Sequence, residues 1–337
     1  MKRIVLLSIF AVFFASAAFG QATNDFYDDT PSKTLPGSLK IEVAGEMVNP
    51  GVVDLERLPL RTLIVREARL EKGEIAFVGA YRYEGYSLLD ILNDRVPSRK
   101  HGVGFKPQTD LLVAVENAKG EKAVMSWGEI FYPAVLHRVI IARRAAPIIP
   151  VESKENWALP EGVKLVCAND LLSERGILNP TGITVFTAPL EIADKKGLKP
   201  LSAANFQIFR PGLQAVAFDP AGVQAEHRAS PSVFYGRGRG FHGFQRFSGV
   251  LLKEALKGFV TLDVATLRRS YLIAVAIDGY RIAMSFSELF NRNDQAEFLL
   301  VDLGEGQDGG KYKLFPAADF FSDRALKAVS AVHFLTY

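Results

Sequence analysis

Glycines, arginines and a histidine alternate in one segment that could bind an anion. The segment YGRGRGFHGFQRF, residues 235–247, holds Arg237, Arg239 and His242 among glycines and aromatic residues. Glycine lets backbone amides approach a ligand closely, and arginine forms forked hydrogen bonds to phosphate, sulfate or carboxylate groups. These three residues are candidates for binding a small anion, and a solvated turn between strands is the structural alternative. The glycines also spell G-x-G-x-x-G, but FQRFSG follows where a dinucleotide site needs a helix.

A twelve-residue box with an aspartate and an arginine five residues apart occurs twice. KLVCANDLLSER, which begins at Lys164, returns 149 residues further on as KLFPAADFFSDR, with six of the twelve positions identical. We expect Asp170 and Asp319 to cap a short helical turn. Arg175 and Arg324 either fold back onto these aspartates or point toward a pocket.

Other residues that could do chemistry are few. The histidines have no H-x-H or H-x-x-x-H spacing and no G-x-S-x-G elbow is present, so we predict neither a metal site nor a catalytic residue. Cys167 is the only cysteine, which excludes an internal disulfide. Its apolar surroundings, VKLVCAND, predict a buried, unreactive thiol. Lys164 and Lys313, which begin the two boxes, are expected to be exposed strand residues.

Further segments repeat in the same order, with a period of about 150 residues. LLVAVENAKGEKAVMSWGEIF, residues 111–131, corresponds to YLIAVAIDGYRIAMSFSELF, residues 271–290, and YEGYSLLDIL corresponds to FSGVLLKEAL. A period of this length indicates two domains. We place domain 1 at residues 38–187 and domain 2 at residues 198–337, the second with a divergent N-terminal third.

Length and charge set broad limits. The 337 residues, 48% of them hydrophobic, suffice for two cores. Forty basic and 37 acidic side chains give a net charge of only +3, so nothing at the level of the whole chain favours nucleic-acid binding.

The N-terminus has the layout of a secretory signal peptide. Lys2 and Arg3 precede an apolar run, and the small residues of ASAAFGQA follow. We predict a signal peptide over residues 1–20, a flexible linker over residues 21–37 and a periplasmic or secreted mature protein, with an uncleaved anchor as the alternative. No later apolar stretch reaches the roughly 20 residues of a transmembrane helix.

Apolar patterns predict more strands than helices. LKIEVAG, RTLIVREARL, LLVAV, RVIIA, YLIAVAI and EFLLV are typical of strands, whereas SLLDIL and LLKEAL carry apolar residues at helical spacing. Strands and helices do not alternate regularly enough for a doubly wound parallel sheet. We therefore predict an α+β fold of mixed, strand-rich domains.

The order of these motifs resembles the molybdopterin-binding domain of the sulfite oxidase family. The resemblance rests on LKIEVAGEMVNPG, DLERLP, YEGYSLLDIL, MSWGEIF and KLVCANDLLSERGILNPTGITVF, and in the second copy it is good only from Phe241 onward. It implies two tandem domains of the sulfite oxidase type. It also implies that Arg175 and Arg324 lie near the pterin and could contact this cofactor.

In that family a cysteine thiolate ligates pterin-bound molybdenum, and oxygen atoms are transferred to or from small substrates. The resemblance places this cysteine in REARLEKG, residues 66–73, but no cysteine occurs there or in LQAVAFDPAG of the second copy. The leader also lacks a twin arginine, which indicates export of an unfolded chain without a preassembled cofactor. We therefore predict no cofactor, and molybdopterin belongs to the alternative.

The sequence thus favours an exported, non-redox binding or interaction module and not an enzyme. Its partner would be a small anionic ligand, held by Arg237, Arg239 and His242, or an envelope protein. The alternative is a molybdopterin-dependent oxidoreductase of the sulfite oxidase type, or a subunit of one, with Arg175 and Arg324 at the cofactor.

Overall fold

The computed structural model describes residues 27–28, 31–99, 105, 108–203, 205–304 and 309–337. The predicted signal peptide lies outside these residues. Within the predicted linker, residues 27–28 and 33–34 form short strands that pair with strands further along the chain, and Leu35 is buried. The C-terminal part of the predicted linker is therefore attached to a sheet.

Strands dominate the described residues. The first half of the chain forms β1 Tyr27–Asp28, β2 Lys33–Thr34, β3 Lys40–Gly45, β4 Gly51–Asp54, β5 Leu60–Glu71, β6 Glu74–Ser87, β7 Leu111–Asn117, β8 Lys122–Ser126, β9 Val139–Pro147, β10 Ile149–Pro150, β11 Lys164–Cys167 and β12 Pro180–Thr187. The second half forms β13 Phe206–Phe209, β14 Val216–Phe218, β15 His227–Gly236, β16 Gly240–Leu251, β17 Ser270–Ala276, β18 Arg281–Ser285, β19 Phe298–Asp302, β20 Tyr312–Pro316 and β21 Val329–Thr336.

Helical segments in the same residues are short. The α-helices are α1 Leu88–Leu92, α2 Trp127–Phe131, α3 Leu252–Leu256, α4 Val264–Arg269 and α5 Phe286–Phe290. Single 3₁₀ turns occur at Leu55–Arg57, Ser173–Arg175, Pro220–Gly222, Lys257–Phe259 and Ser322–Arg324. The predicted helices SLLDIL and LLKEAL thus form, as α1 and α3.

The two halves of the chain build sheets of the same topology. In the first half the strand orders are β11-β9-β6-β5 and β4-β3-β12-β7-β8, and β2 adds to β9. In the second half they are β20-β19-β16-β15 and β14-β13-β21-β17-β18. The pairs β3/β12 and β13/β21 are parallel, and their neighbours in each sheet are antiparallel.

These four sheets are arranged as a four-bladed β-propeller, so the expectation of two tandem sulfite oxidase-type domains is wrong. The α+β class is wrong as well, because 47% of the residues are in strands and 14% in helices. The physical reason is burial on both faces: nearly every residue of β7 and β17 is buried, so sheets cover these strands where an α+β fold would use helices. The sequence duplication corresponds to two pairs of blades.

The central strands β7 and β17 pack the two halves against each other. Leu112 and Ala114 of β7 share an apolar cluster with Tyr271, Ile273 and Val275 of β17. Each large side chain buried in this way contributes about 1.5–3 kcal/mol. The halves are therefore joined by an extensive apolar layer in addition to their own cores.

Main-chain hydrogen bonds also join the halves, in two equivalent pairs that we call the seam. The loop after α5 meets the loop after β11, and the loop after α2 meets the loop after β20. The bonds run from Asn293 N to Asn169 O (2.9 Å), Leu171 N to Asn291 O (2.7 Å), Ala134 N to Ala318 O (2.9 Å) and Phe320 N to Tyr132 O (2.8 Å).

Candidate functional site

The arginines of the repeated box fold back onto their own aspartates. Arg175 donates to Asp170 from Nε at 2.9 Å and from Nη2 at 2.6 Å. Arg324 donates to Asp319 at 2.8 and 2.7 Å in the same way. Neither aspartate caps the following 3₁₀ turn as predicted, since these turns have no side-chain cap. Each carboxylate instead holds an arginine in a forked ion pair.

Each box arginine also contacts the glutamate of a nearby helix, and a serine from the other half joins this contact. Arg175 Nη1 lies 2.6 Å from Oε1 of Glu129. The other carboxylate oxygen of Glu129, Oε2, accepts a hydrogen bond from Ser285 at 3.0 Å. Arg324 makes the equivalent contact, with its Nη1 2.7 Å from Glu288 Oε1, while Ser126 donates to Glu288 Oε2 at 2.6 Å. The paired arrangement links both halves at the centre of the fold.

Local sequence explains why these groups converge. Ser126 and Ser285 begin α2 and α5, and each accepts a hydrogen bond from the backbone N–H of the glutamate three residues later. This S-x-x-E spacing is a helix N-terminus signal. The same serines and glutamates then bond across the halves, so the repeated motifs MSWGEIF and MSFSELF serve as the central joint.

The charged side chains of this central joint are buried, and burial changes their pKa values. Desolvation raises the pKa of Glu129 to about 7, with Arg175 opposing the rise and Glu288 adding to it. Burial lowers the pKa of Arg324, but Asp319 and Glu288 outweigh it and the net direction is upward. Arg324 is 0% exposed and Arg175 is 2% exposed. Protein carboxylates occupy both guanidinium groups, which leaves no accessible face for the pterin contact that the resemblance implies.

The described side chains also do not fit a molybdenum cofactor. The region in which the resemblance places the ligating cysteine is strand β5, and it carries Arg66 and Glu67 but no thiol. Cys167, the only cysteine, is buried, as predicted, and burial raises the pKa of its thiol. A thiolate ligand for molybdenum is therefore not supplied by this chain.

The glycine-rich segment forms the turn of the hairpin β15–β16. Arg237 Nε donates to Asp323 at 2.8 Å, and its guanidinium lies 4.6 Å from the ring of Phe321. Arg239 and His242 are exposed, and His242 lies against Gly236. Among the described contacts none joins Arg237, Arg239 and His242 to one another, and Arg237 is paired with Asp323, so their binding of an anion stays a prediction.

The box lysines are buried, which contradicts the prediction that they are exposed. Lys164 is 3% exposed, and its Nζ donates to Glu67 Oε1 at 2.6 Å. Tyr83 donates to the same oxygen at 2.9 Å. Lys313 is 7% exposed and lies beside Phe234 and Phe247, with Nζ 4.8 and 4.6 Å from the ring centroids. The prediction failed because the order of polar and apolar residues in these short strands does not show that other elements cover both faces of each strand.

A cleft of about 460 Å³ opens at the seam, and no sequence motif predicted it. The seam residues Ala134, Asn169, Asn293 and Ala318 all line it. Its other walls come from β5, the loop before β9, the loop after α5 and the residues that follow β11 and β20. They contain Ile64, Val65, Arg66, Pro133, Val135, Arg138, Ala168, Arg292, Asp294, Ala296 and Ala317. The cleft is thus built from both halves of the chain.

The cleft carries an excess of positive charge. Arg66 is exposed and Arg138 is half-buried, and within the described residues neither guanidinium has an ion pair or hydrogen bond. Arg292 is buried and donates to Asp294 at 2.8 and 2.6 Å. Three arginines and one aspartate leave two positive charges, so an anion entering the cleft would find unpaired guanidinium donors.

The polar residues of the cleft are those at which the two copies differ. Pro133 of the first copy corresponds to Arg292 of the second, and Ala134 corresponds to Asn293. In the box, Asn169 corresponds to Ala318, and Arg138 aligns with a glutamate. The seam is duplicated, whereas the polar lining is not. Positions at which one copy has a small residue and the other copy has a polar residue were therefore the sequence signal for this site.

No protein-family model matches the chain, and no curated protein gives a significant match. In the part of the chain that the structure describes, no helix is long and apolar enough to cross a bilayer. That part also contains no group of three or more His, Cys, Asp or Glu side chains placed to hold a metal ion.

Proposed function

We propose that this chain is a non-redox binding module whose cleft at the seam takes a small anionic molecule. The observation that carries the proposal is a pair of guanidinium groups, Arg66 and Arg138, that have no partner in the part of the chain described by the structure. The third arginine of the cleft lining, Arg292, is neutralised by Asp294. Residues 1–20 still predict export, so the ligand would be met outside the cytoplasm.

The size and lining of the cleft support a small molecule. Its volume of about 460 Å³ lies within the ~300–1,000 Å³ typical of small-molecule sites. Ile64, Pro133 and Val135 contribute apolar wall, whereas Asn169 and Asn293 contribute amide groups. A carboxylate or phosphate ester with a compact apolar body would use both kinds of surface.

The arginine geometry supports recognition of an anion in particular. Arginine carries five N–H donors in a planar fork and stays charged at any physiological pH, so it pairs with carboxylate and phosphate oxygens. A hydrogen bond to a charged group contributes about 1.5–3 kcal/mol. Loss of one such contact corresponds to a roughly tenfold to hundredfold weaker complex.

Calorimetric titration with phosphate, sulfate and succinate tests the proposal. At least one of these anions should bind the wild-type protein, and Arg66→Ala and Arg138→Ala should each weaken that binding at least tenfold. Asp294→Asn should strengthen it, because the change removes the negative charge beside Arg292. Higher salt should weaken binding by screening the exposed part of the site.

Arg57→Ala is the matched control. Its side chain is 85% exposed, and its one ion pair among the described residues is with Asp54 at 3.5 Å. It lies outside the cleft lining. The control should bind as the wild type does. Equal affinities for all the arginine variants, at unchanged melting temperature, would show that the anion binds elsewhere, and no binding by the wild type would remove the proposed function for these anion classes.

A further inference from the structure

The tip of hairpin β15–β16, residues 233–244, presents an exposed apolar surface. Phe244 is 83% exposed, Phe241 57%, Val233 56% and Tyr235 38%. Val233 pairs directly with Phe244, and Tyr235 pairs with Phe241, so these side chains adjoin one another. The rings of Phe241 and Phe244 lie 5.5 Å apart. Two neighbouring phenyl rings in water are an uncommon feature for a surface without a partner.

The fold does not need these exposed rings. The hairpin is held from its opposite face, where Phe247 stacks on Phe315 at 3.9 Å and Phe234 contacts Phe247 at 5.4 Å. Arg237 anchors the turn through Asp323. The ring of Tyr235 also lies near Phe320 and Phe321 of the fold, at 5.6 and 6.2 Å. Among the ring contacts of the described residues, Phe241 and Phe244 have only each other, so their exposure calls for a partner outside the chain.

The hairpin is also strongly basic. No aspartate or glutamate occurs between His227 and Lys253, whereas Arg228, Arg239 and Arg246 are exposed and have no ion pair among the described residues. The nearest acidic residue in sequence is Glu226, before the first strand, and the acidic side chain that meets the turn belongs to Asp323, already paired with Arg237. The outer surface therefore combines aromatic rings with unneutralised guanidinium groups.

The hairpin tip is a narrow feature rather than part of a broad sheet. Strand β16 pairs with β19 through Val250 and Leu251, so no third strand of the described chain lies beside residues 233–247. A narrow two-stranded tip with aromatic ends suits entry into the headgroup region of a bilayer better than contact with a flat protein surface. Aromatic side chains favour that region, and basic residues are attracted to anionic lipids.

We propose that the tip of hairpin β15–β16 docks this protein on an anionic phospholipid surface. Phe241 and Phe244 enter the interface between headgroups and acyl chains, and Arg239 of the turn and Arg246, which shares the face of Phe244, contact lipid phosphates. This surface is separate from the cleft, so docking does not depend on the function proposed above.

The corresponding hairpin of the first half provides an internal control. The β5–β6 hairpin exposes Ile75 (62%) and Phe77 (58%), but its turn carries Glu71 and Glu74. Its strand β5 packs Leu70 against the core of the second half. Exposed apolar residues are thus present at both hairpins, and basic charge without acidic residues is present only at β15–β16.

Flotation of the purified protein with phosphatidylglycerol-containing vesicles tests docking, with phosphatidylcholine vesicles as the comparison. The wild type should float with the anionic vesicles and not with the neutral ones, and added salt should release it. Arg239→Gln with Arg246→Gln should weaken binding about thirtyfold, from about 1 kcal/mol per basic residue. Phe241→Ser with Phe244→Ser should weaken it at least tenfold.

Ile75→Ser with Phe77→Ser should float as the wild type does. Melting temperature and anion binding in the cleft should stay unchanged in the Phe241/Phe244 variant, which separates loss of docking from loss of folding. Failure to float with anionic vesicles would overturn the proposal, as would equal flotation with neutral vesicles. So would a dimer in solution that the Phe241/Phe244 variant abolishes, because the surface would then be an interface between two copies.

Discussion

Replacing Lys313 by methionine should stabilise the protein, because the charged lysine is buried without a carboxylate partner among the described residues. Burial, with a smaller contribution from Lys327, lowers the pKa of Lys313 from 10.5 to about 8. At 1.36 kcal/mol per pH unit this difference corresponds to a cost of about 3 kcal/mol for keeping the ammonium charged in the fold. Attraction to the rings of Phe234 and Phe247 offsets about 1–2 kcal/mol of that cost. Methionine fills a similar volume without charge, so we expect a gain of about 1–2 kcal/mol at pH 7.

The equivalent change in the first copy should have the opposite sign. Lys164 has a carboxylate partner, Glu67, at 2.6 Å, and Lys164→Met would leave that carboxylate buried and without its cation. Breaking a buried ion pair in this way costs about 3–5 kcal/mol. The two lysines occupy the same position of the repeated box, so the pair isolates the effect of the missing carboxylate.

Urea denaturation at pH 7 and at a series of higher pH values measures both effects. The folded pKa of Lys313 lies below its unfolded value, so between pH 8 and 10.5 the unfolded chain binds more protons and the free energy of unfolding should rise. This rise should be absent from Lys313→Met, and the difference between the two curves removes the tyrosine titrations common to both. A loss of stability in Lys313→Met similar to that in Lys164→Met would refute the reasoning.

Two further predictions concern the central joint. Glu129→Gln should flatten the pH dependence of stability: burial raises the pKa of Glu129 from 4.5 to about 7, so wild-type stability should fall as pH rises through this window, and equal slopes in denaturation curves of both proteins would contradict this. Gly128→Ala should lower the free energy of unfolding by about 1–3 kcal/mol, because the new Cβ would lie 2.4 Å from Nη1 of Arg324. Gly258→Ala meets nothing within 4 Å and should melt close to the wild type.

Local elements were predictable from the sequence, and their assembly was not. LLVAV, RVIIA, YLIAVAI and EFLLV form β7, β9, β17 and β19, because β-branched apolar runs favour strands wherever they are packed. The repeated motifs also correspond to the repeated sheet topology. Their arrangement as four blades depends on contacts between the halves, such as Leu112 with Ile273, that no local pattern encodes.

The candidate site was missed for a related reason. The arginines of the glycine-rich segment are close together in sequence, yet Arg237 has an aspartate partner 86 residues away. Arg66 and Arg138 are far apart in the chain and belong to no motif, and only the fold brings them to one cleft. Adjacency in sequence was therefore a poorer guide than differences between the aligned copies.

The duplicated frame explains why the cleft could diverge. Pro133 and Arg292 occupy equivalent positions, and each makes a bridge to the opposite half through its main chain, to Asp319 and to Asp170. Because these bridges use backbone groups, the side chain at either position can change without breaking the seam. The central joint has no such freedom, since each buried guanidinium needs its carboxylates. The duplication therefore keeps its charged centre in both copies, whereas the polar lining of the proposed anion site occurs once, at positions where only the backbone is constrained.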